Sequence, residues 1–370
     1  MLDSKHYESR IEGLRGFLVE KDTDFALVTP SPSFQYLTGA ETEMTERLVA
    51  LVITSDSDPM IVAPAFEVSG LAQRTWIKGF LPWEEDEDPY AVISGWIGKK
   101  DVGYKAAFDD SLPVGIYWRA ERALGRFRDS LSLASVVERM RLVKSPDELK
   151  LMKEAGRVIT KAVTKAYESA EVGMTELELS RVVSNEVVRK GAKPTFTTVQ
   201  FGENSALPHA GSGKRQMKKG DIVLMDCGCT VDGYNTDMTR VGVVGDPSEE
   251  QEAIYEVVRE AQSAALREIQ EGLACGKADG IARRVIEESG YAENFTHRLG
   301  HGIGIEVHEP PYLVRGNSLE LKSGMTHSVE PGIYLEGHFG IRIEDLVCVH
   351  EEGCEEITYA PKDMFIIEPT

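Results

Sequence analysis

The segment KKGDIVLMDCGCTVDGYNTDMTRVGVVG, residues 218–245, contains two mainly apolar runs separated by Asp-Gly at positions 232–233. An Asp-Gly pair between such runs is typical of the two-residue turn that joins antiparallel strands. In the register set by this turn, Asp226 lies opposite Thr239, and Asp237 is a diagonal neighbour of Asp226 on the same face. The segment therefore predicts an antiparallel ribbon that brings two carboxylates close together.

A second segment, VEPGIYLEGHFGIRIED at residues 329–345, shows the same arrangement. Glu330 and Glu344 are symmetric about residue 337, so a hairpin that turns through EGHFG would place them opposite each other. One such pair is weak evidence for a metal site, because facing acids are common on exposed strands. Two pairs carry four negative charges, which two divalent cations balance better than one.

Three of the eight histidines of the chain lie in THRLGHGIGIEVHEPP at residues 296–311, namely His297, His301 and His308. The glycines between them disfavour a helix and allow the backbone to lie close against another group. Four carboxylates with one imidazole suit Mn, Co, Fe or Zn, and do not resemble a thiolate-rich structural zinc site. We therefore expect a site for two divalent metal ions.

Charge and composition argue against several classes of partner. The chain has 370 residues, of which 42% are hydrophobic and 28% charged, and 41 Lys and Arg against 61 Asp and Glu give a formal net charge of −20. This charge disfavours nucleic acid and anionic membrane surfaces. The N-terminus is polar and no run approaches the roughly 20 apolar residues of a membrane span, so we expect a cytoplasmic protein. Five cysteines without a CxxC pair indicate no disulfide framework.

Two domains are expected from the order of helix and strand patterns. These patterns alternate to about residue 135, which indicates a compact α/β domain at residues 1–135. Ser145, Pro146 and Glu148 then give a capping box and an N-terminal proline for a long helix. Three further helices are indicated, near residues 175–191, 247–269 and 277–290. The predicted fold class is α+β, with helices covering a largely antiparallel sheet in a domain at residues 139–370.

Four motifs in order, DCGCTVDGYNTD, HRLGHGIGIEVHEPP, GMTHSVEPGIY and IRIED, resemble the pita-bread metallopeptidases, and specifically the branch that contains proline dipeptidase and aminopeptidase P. The resemblance covers residues 139–364 and includes RLVKSPDEL and FGENSALPHAGSGKR. It implies a pita-bread catalytic domain preceded by a smaller creatinase-like domain. In this branch the first domain helps to close the site and to form a homodimer.

The resemblance also implies roles for particular residues of this sequence. Five residues would hold two metal ions. Asp226 would bind one ion alone, and His301 with Glu330 would complete the shell of the other ion. Asp237 and Glu344 would bridge the two ions. His209 and His308 would contact the substrate carbonyl and the tetrahedral intermediate. Arg342 would support Glu344 or the substrate, and His297 would lie near the substrate.

A hydrolytic mechanism follows from these roles. Two divalent ions lower the pKa of a bridging water, so that hydroxide can attack a peptide carbonyl near neutral pH. Glu330 would accept the proton of the water and pass it to the leaving nitrogen, while His308 stabilises the oxyanion. We therefore expect hydrolysis of the bond before proline, with a dipeptide that has proline at its second position as substrate.

Several alternatives stay open. Aminopeptidase P activity on longer Xaa-Pro peptides depends on which loop blocks the far side of the pocket, and the sequence does not decide this. Methionine aminopeptidases lack an N-terminal domain of ~135 residues, which is full domain size. Creatinase-like hydrolases and metal-free binding paralogues have lost metal ligands, and the presence of all five ligand types in this sequence argues against both. His327 stands where the family usually has an aromatic or aliphatic residue, which indicates either altered metal surroundings or packing.

Overall fold

The computed structural model describes residues 2–98, 100–208 and 210–369. The chain divides into two compact units, Met1–Arg141 and Leu142–Thr370. Each unit has its own apolar core. Within the described ranges, no helix combines the length and the mean hydropathy of a bilayer-spanning segment.

The N-terminal unit is an α/β structure with one six-stranded mixed sheet. Its elements in chain order are α1 (Ser4–Glu20), β1 (Phe25–Val28), α2 (Pro32–Thr38), β2 (Ala50–Ile53), β3 (Met60–Pro64), α3 (Val68–Ala72), β4 (Gly79–Trp83), α4 (Pro89–Ile97), β5 (Lys105–Phe108), α5 (Val114–Leu124), β6 (Asp129–Ser132) and α6 (Ala134–Leu142). The strand order is β4-β3-β2-β1-β5-β6, and only β2 runs antiparallel to its neighbours. In its core, the ring of Phe25 contacts the rings of Tyr104, Phe108 and Phe127.

The C-terminal unit combines four long helices with three sheets. Its helices are α7 (Pro146–Glu168), α8 (Glu176–Arg189), α9 (Glu249–Glu268) and α10 (Cys275–Glu288). Its strands are β7 (Lys193–Phe201), β8 (Ile222–Val231), β9 (Tyr234–Asn235), β10 (Met238–Val244), β11 (Gly300–Gly302), β12 (Glu309–Leu313), β13 (Thr326–Val329), β14 (Gly332–Leu335), β15 (Phe339–Arg342), β16 (Asp345–His350), β17 (Gly353–Glu356) and β18 (Phe365–Ile367).

The sheets of this unit are largely antiparallel. Their orders are β18-β10-β8-β7, with β9 paired to β8, then β12-β11-β13-β16-β17, and finally the ribbon β14-β15. The pair β10-β18 is parallel, and every other described pair is antiparallel. The predicted α+β fold class, with a smaller α/β domain before it, is confirmed.

The long helices begin where the sequence predicts them. The hydroxyl of Ser145 accepts a hydrogen bond from the backbone N–H of Glu148, and the carboxylate of Glu148 accepts one from the backbone N–H of Ser145. Capping boxes of the same kind start α8 and α9. Each box satisfies backbone N–H groups that have no partner within the helix. Gly156 lets α7 pack closely against the backbone at Ile357, because a Cβ at position 156 would lie 2.4 Å from the carbonyl oxygen of Ile357.

The hairpin of β8 with β9 and β10 has the predicted turn and register. Asp232 and Gly233 have φ angles of 46° and 85°, the left-handed values that a turn of this type needs. Asp226 pairs with Thr239. The apolar residues Ile222 and Leu224, which share the face of Asp226, lie in the core with α9 and α10. The other face, including Cys227 and Cys229, packs in the core with α7 and α8.

Candidate metal centre

In the second hairpin, the backbones of Glu330 and Glu344 do not pair with each other and instead bond to other segments of the unit. Its strands pair symmetrically about residue 337 both before and after Glu330 and Glu344. The backbone N–H of Glu344 instead donates to the carbonyl of Thr239 at 3.1 Å, and that of Glu330 donates to the carbonyl of Leu299 at 2.9 Å. The two acidic pairs and the histidine-rich segment are therefore brought together at this point.

A cavity of about 360 Å³ lies where these segments meet. Eight of the nine predicted site residues line it, namely Asp226, Asp237, His297, His301, His308, Glu330, Arg342 and Glu344. The ninth, His209, lies outside the described residues. The remaining lining residues are Phe196, Pro208, Arg298 and Val307.

The acids at the centre of the cavity are poorly compensated by the protein. Single ligand atoms of Asp237, His301 and Glu344 all lie within 4.8 Å of one another. Asp237 and Glu344 are 4% and 1% exposed. Burial raises the pKa of both carboxyls well above the usual range, and neighbouring acids raise it further. Both groups would therefore ionise only with a strong source of positive charge.

Three carboxylate oxygens in this cluster lack a donor. Oδ1 of Asp226, Oδ1 of Asp237 and Oε1 of Glu344 are buried and accept no hydrogen bond from the described residues. Buried polar atoms are nearly always satisfied, and each exception is costly. Bound cations would satisfy all three atoms and balance their charge, so the residues fit a divalent metal centre.

His301 is oriented as a metal ligand would be. Its Nδ1 lies 3.0 Å from the carbonyl oxygen of Gly302, which can only accept a hydrogen bond, so the ring proton is on Nδ1. Nε2 then directs a lone pair toward carboxylates, 3.3 Å from Oε1 of Glu330 and 3.8 Å from Oδ2 of Asp237. Burial lowers the pKa of His301 to about 4. An imidazole fixed by a backbone carbonyl and facing acids is typical of metal-binding histidines.

Arg342 supports the acids from one side through a hydrogen-bonded network. Its Nη2 donates to Oδ2 of Asp226 at 2.5 Å, its Nε donates to Oγ1 of Thr239 at 3.0 Å, and its Nη1 donates to the hydroxyl of Tyr334 at 2.8 Å. The hydroxyl of Tyr334 also lies 2.9 Å from Nε2 of His297. Arg342 reaches Glu344 only through Thr239, whose hydroxyl donates to Oε2 of Glu344 at 2.7 Å.

The two outer histidines differ in their surroundings. His297 is fixed, because its Nδ1 donates to the carbonyl of Arg298 at 2.7 Å and its Nε2 accepts from Tyr334. His308 is exposed to the cavity, and its ring centre lies 4.1 Å from that of His301. Burial lowers the pKa of both rings, so both are neutral near pH 7. The single N–H of His297 is used by the carbonyl of Arg298, whereas His308 can offer its N–H in the cavity.

Both units of the chain match described protein families. Residues 150–351 match Metallopeptidase family M24, and residues 10–143 match the Creatinase/Prolidase N-terminal domain. The chain belongs to metallopeptidase family M24. The resemblance found in the sequence is thus confirmed, and the protein is a metallopeptidase of a family that binds divalent metal ions.

Similar proteins extend over almost the whole length of this M24 chain. A curated relative named Xaa-Pro dipeptidase, from Lactobacillus helveticus, is 35% identical over 96% of this chain and 98% of its own length. A prolidase structure from Thermococcus sibiricus aligns with a TM-score of 0.90 and 34% identity over 99% of this chain and 100% of that one. An X-Pro aminopeptidase structure from Thermotoga maritima gives a TM-score of 0.87 and 30% identity over 96% and 99%.

His327 of this M24 peptidase is buried and is not among the described residues that line the cavity. Its Nδ1 donates to the carbonyl of Ser328 at 2.9 Å, and its Nε2 has no partner among the described residues. Burial lowers the pKa of His327 to about 4, so the ring is neutral at neutral pH. The structure therefore gives this residue a packed environment.

Three residues of the M24 site did not emerge from the sequence. Tyr334 and Thr239 hold Arg342, and Arg298 lines the cavity. Tyr334 and Arg298 lie within the four motifs and Thr239 lies two residues after the first of them, but tyrosine, threonine and arginine are common in strands and loops and gave no signal of a role in the site. The position of Arg298 beside His297 in HRLGHG was the only indication available.

Proposed function

We propose that this metallopeptidase hydrolyses the peptide bond before proline in Xaa-Pro dipeptides. The observation that carries the proposal is the buried acid cluster with unsatisfied oxygens facing His301 in a cavity. The relatives named Xaa-Pro dipeptidase and prolidase support the substrate class.

Five residues would hold two ions of Mn, Co, Zn or Fe, namely Asp226, Asp237, His301, Glu330 and Glu344. When bound there, the ions would neutralise the carboxylates, polarise the substrate carbonyl and bring the pKa of water at the site near neutrality. We propose that Asp226 would bind one ion, that His301 and Glu330 would bind the other, and that both ions would share Asp237 and Glu344.

Glu330 is proposed to move the proton. It lines the cavity, and its Oε1 accepts a hydrogen bond from Oγ of Ser328 at 3.0 Å, which fixes the carboxylate. It would take a proton from the attacking water and deliver it to the leaving nitrogen. A prolyl nitrogen is a tertiary amide nitrogen without N–H, so it must gain this proton as it leaves.

Neutral His308 is proposed to donate its N–H to the carbonyl oxygen as negative charge develops there. Its exposure to the cavity and its lowered pKa support this role. His209 is proposed to contact the same oxygen or the substrate. His297 and Arg342 are proposed to fix the orientation of the substrate and the acids through Tyr334.

We propose that the apolar residues of the cavity contact the proline ring. Phe196, Pro208 and Val307 line it beside the histidines. Contact with these side chains would remove the ring carbons from water, which favours binding in proportion to the area buried. No charged group is needed at this subsite.

Arg298 favours a dipeptide over a longer peptide. Its guanidinium lies 4.4 Å from the ring centre of Tyr312, and no acid of the described ranges pairs with it. A planar guanidinium matches a carboxylate with two parallel hydrogen bonds. The C-terminal carboxylate of a dipeptide follows the scissile bond by one residue, whereas that of a longer peptide lies farther away.

The test uses metal-stripped protein with Mn²⁺ or Co²⁺ added back. We expect cleavage of Ala-Pro only after metal is restored, at a kcat/KM roughly tenfold to hundredfold above that for Ala-Pro-amide, since one charge-assisted pair is worth about 1.5–3 kcal/mol. Arg298→Leu should abolish this preference. Absence of metal-restored cleavage would refute the proposal.

A second candidate, aminopeptidase P, is favoured by the likeness to the Thermotoga maritima structure. Equal or faster cleavage of Ala-Pro-Ala than of Ala-Pro would select it. Cleavage of Met-Ala peptides would instead indicate the methionine-specific branch.

We propose further that the protein is a cytoplasmic homodimer in which the domain at residues 1–135 helps to close the site. The family resemblance supports this assembly. Sedimentation velocity should give a mass of twice the 40.9 kDa of one chain. A single 40.9 kDa species at micromolar concentration would contradict it.

A further inference from the structure

A buried ion pair lies directly behind the histidine-rich loop. Nζ of Lys144 donates to Oε1 of Glu309 at 2.8 Å, and each side chain is 2% exposed. Removing both charges from water is costly, and such a pair often adds nothing to stability relative to apolar side chains. Its position suggests a different contribution, because Glu309 directly follows His308.

The carboxylate of Glu309 also closes the loop that carries His308. Residues 303–308 connect β11 to β12, and Gly302 pairs with Glu309 at the base of this loop. Oε2 of Glu309 accepts the backbone N–H of Glu306 at 3.2 Å. One carboxylate thus connects the inside of the loop to Lys144.

The loop packs closely against the ion pair at Gly304. A Cβ at Gly304 would lie 2.7 Å from Oε1 of Glu309 and 2.9 Å from Cε of Lys144. Asn235 adds a further anchor, since its Nδ2 donates to the carbonyls of Gly304 at 3.2 Å and Ile305 at 2.8 Å. The backbone of the loop is therefore held at several points.

The backbone of Lys144 is held in place by its neighbours. Its backbone N–H donates to the carbonyl of Gly324 at 2.9 Å, and the next residue, Ser145, caps α7. The long side chain can therefore hold Glu309 in place relative to Gly324 and to the start of α7.

We propose that Lys144 and Glu309 are positioning residues that keep the imidazole of His308 directed into the cavity. His308 is the last residue of the loop and Glu309 begins β12, so the fixed carboxylate of Glu309 holds the backbone next to His308, whose side chain lines the cavity. The proposal rests on the role proposed above for His308. Displacing a catalytic group by about 1 Å can cost roughly a hundredfold in rate.

The experiment measures Glu309→Gln in the full-length, metal-loaded protein with Ala-Pro as substrate. We expect kcat to fall roughly tenfold to hundredfold, with KM and Mn²⁺ affinity changed by less than about threefold. In a His308→Ala background, Glu309→Gln should have almost no further effect on kcat, because both changes remove the same contribution. Independent, multiplying effects would overturn the proposal, as would a loss of Mn²⁺ affinity equal to the loss of kcat.

Two further variants separate positioning from folding. Lys144→Gln/Glu309→Gln removes both charges, leaves neither buried alone, and should lose kcat to the same extent. The matched control is Lys153→Gln/Glu355→Gln, another Lys-Glu pair, whose Nζ–Oε1 distance is 2.7 Å and whose side chains are 34% and 48% exposed. The control should keep kcat within about twofold, because exposed pairs contribute little.

A spectroscopic readout is independent of the proposed reaction. The imidazole NMR signal of His308, assigned by its loss in His308→Ala, should move in Glu309→Gln, while the signal of the hairpin-turn residue His338 stays in place. An unmoved His308 signal would overturn the positioning proposal even in an active enzyme. Lack of Ala-Pro cleavage by the wild-type protein, with a His308 signal that moves, would refute only the proposed function.

Discussion

Glu344 and Asp345 are consecutive buried acids, but they differ in how many positively charged and hydrogen-bond-donating side chains surround them. Asp345 is fully buried and accepts hydrogen bonds from Nη2 of Arg240 at 2.7 Å and from the hydroxyl of Thr358 at 3.0 Å. Nζ of Lys362 also lies 3.3 Å from its second oxygen. The charge of Asp345 is therefore balanced within the protein.

Glu344 forms no ion pair with a described residue, and Arg342 offsets only part of the effect of burial and of the neighbouring acids on its pKa. Thr239 donates to one oxygen, the other oxygen has no partner among the described residues, and nearby charges include Glu330 and Asp226, which raise its pKa further after burial. A buried carboxylate surrounded by other acids is stable in its charged form only beside a cation. The charge of Asp345 is thus balanced by other side chains, whereas we propose that metal ions balance the charge of Glu344.

The largest effect is expected from Glu344→Gln. Loss of this proposed metal ligand should lower kcat/KM by at least about 10³-fold, because metal-based charge stabilisation is worth several kcal/mol. The metal-free variant should nevertheless be as stable as metal-free wild type or more so, since one member of a like-charged cluster is removed. Steady-state kinetics and thermal melts after chelation measure the two effects. A variant that is both active and less stable would contradict the comparison.

Asp345→Asn should show the reverse. Removing this acid leaves the buried guanidinium of Arg240 without its anionic partner, so the free energy of unfolding should fall by about 3–5 kcal/mol. Urea denaturation in the presence of metal measures this change. A loss under about 1 kcal/mol would mean that Asp345 is not needed to balance Arg240.

Much of this region could be predicted from local sequence. The Asp-Gly turn fixed the register of the first hairpin, and the symmetry about residue 337 gave that of the second. The opening at Glu330 and Glu344 could not be predicted, because it depends on backbone hydrogen bonds to Leu299 and Thr239, which are distant in sequence.

The difference between the two acids was also hidden in the sequence. In IRIED, Glu344 and Asp345 are equivalent as residue types, and Arg240, which distinguishes them, is 105 residues from Asp345. Likewise, Arg298 and Tyr334 acquire roles only through the cavity that the fold creates.

A smaller effect is expected from His327, through the pH dependence of the free energy of unfolding. His327 is a buried group that the protein keeps neutral, in contrast to the buried charge of Asp345. Burial holds the folded-state pKa of His327 at about 4, against 6.5 in an ordinary setting, so the unfolded state gains the proton first as pH falls. Stability from neutral His327 is therefore present above about pH 6.5 and is lost progressively toward pH 4, by roughly 2 kcal/mol between pH 7.5 and 5. His327→Leu should remove this part of the loss.

Urea unfolding of wild type and His327→Leu at both pH values, in the same metal state, measures the difference. Parallel losses in the two proteins would show that His327 is not held neutral by burial. The subtraction cancels the titration of the acid cluster, which both proteins share.

The most direct test of the central claim is a calorimetric titration of the metal-free protein with Mn²⁺ at pH 7, in two buffers of different ionisation enthalpy. Two ions should bind per chain, and protons should be released, because Asp237 and Glu344 have raised pKa values until cations arrive. Glu344→Gln should release fewer protons. Saturating binding without proton release, or no binding by protein that still cleaves Ala-Pro, would contradict the account.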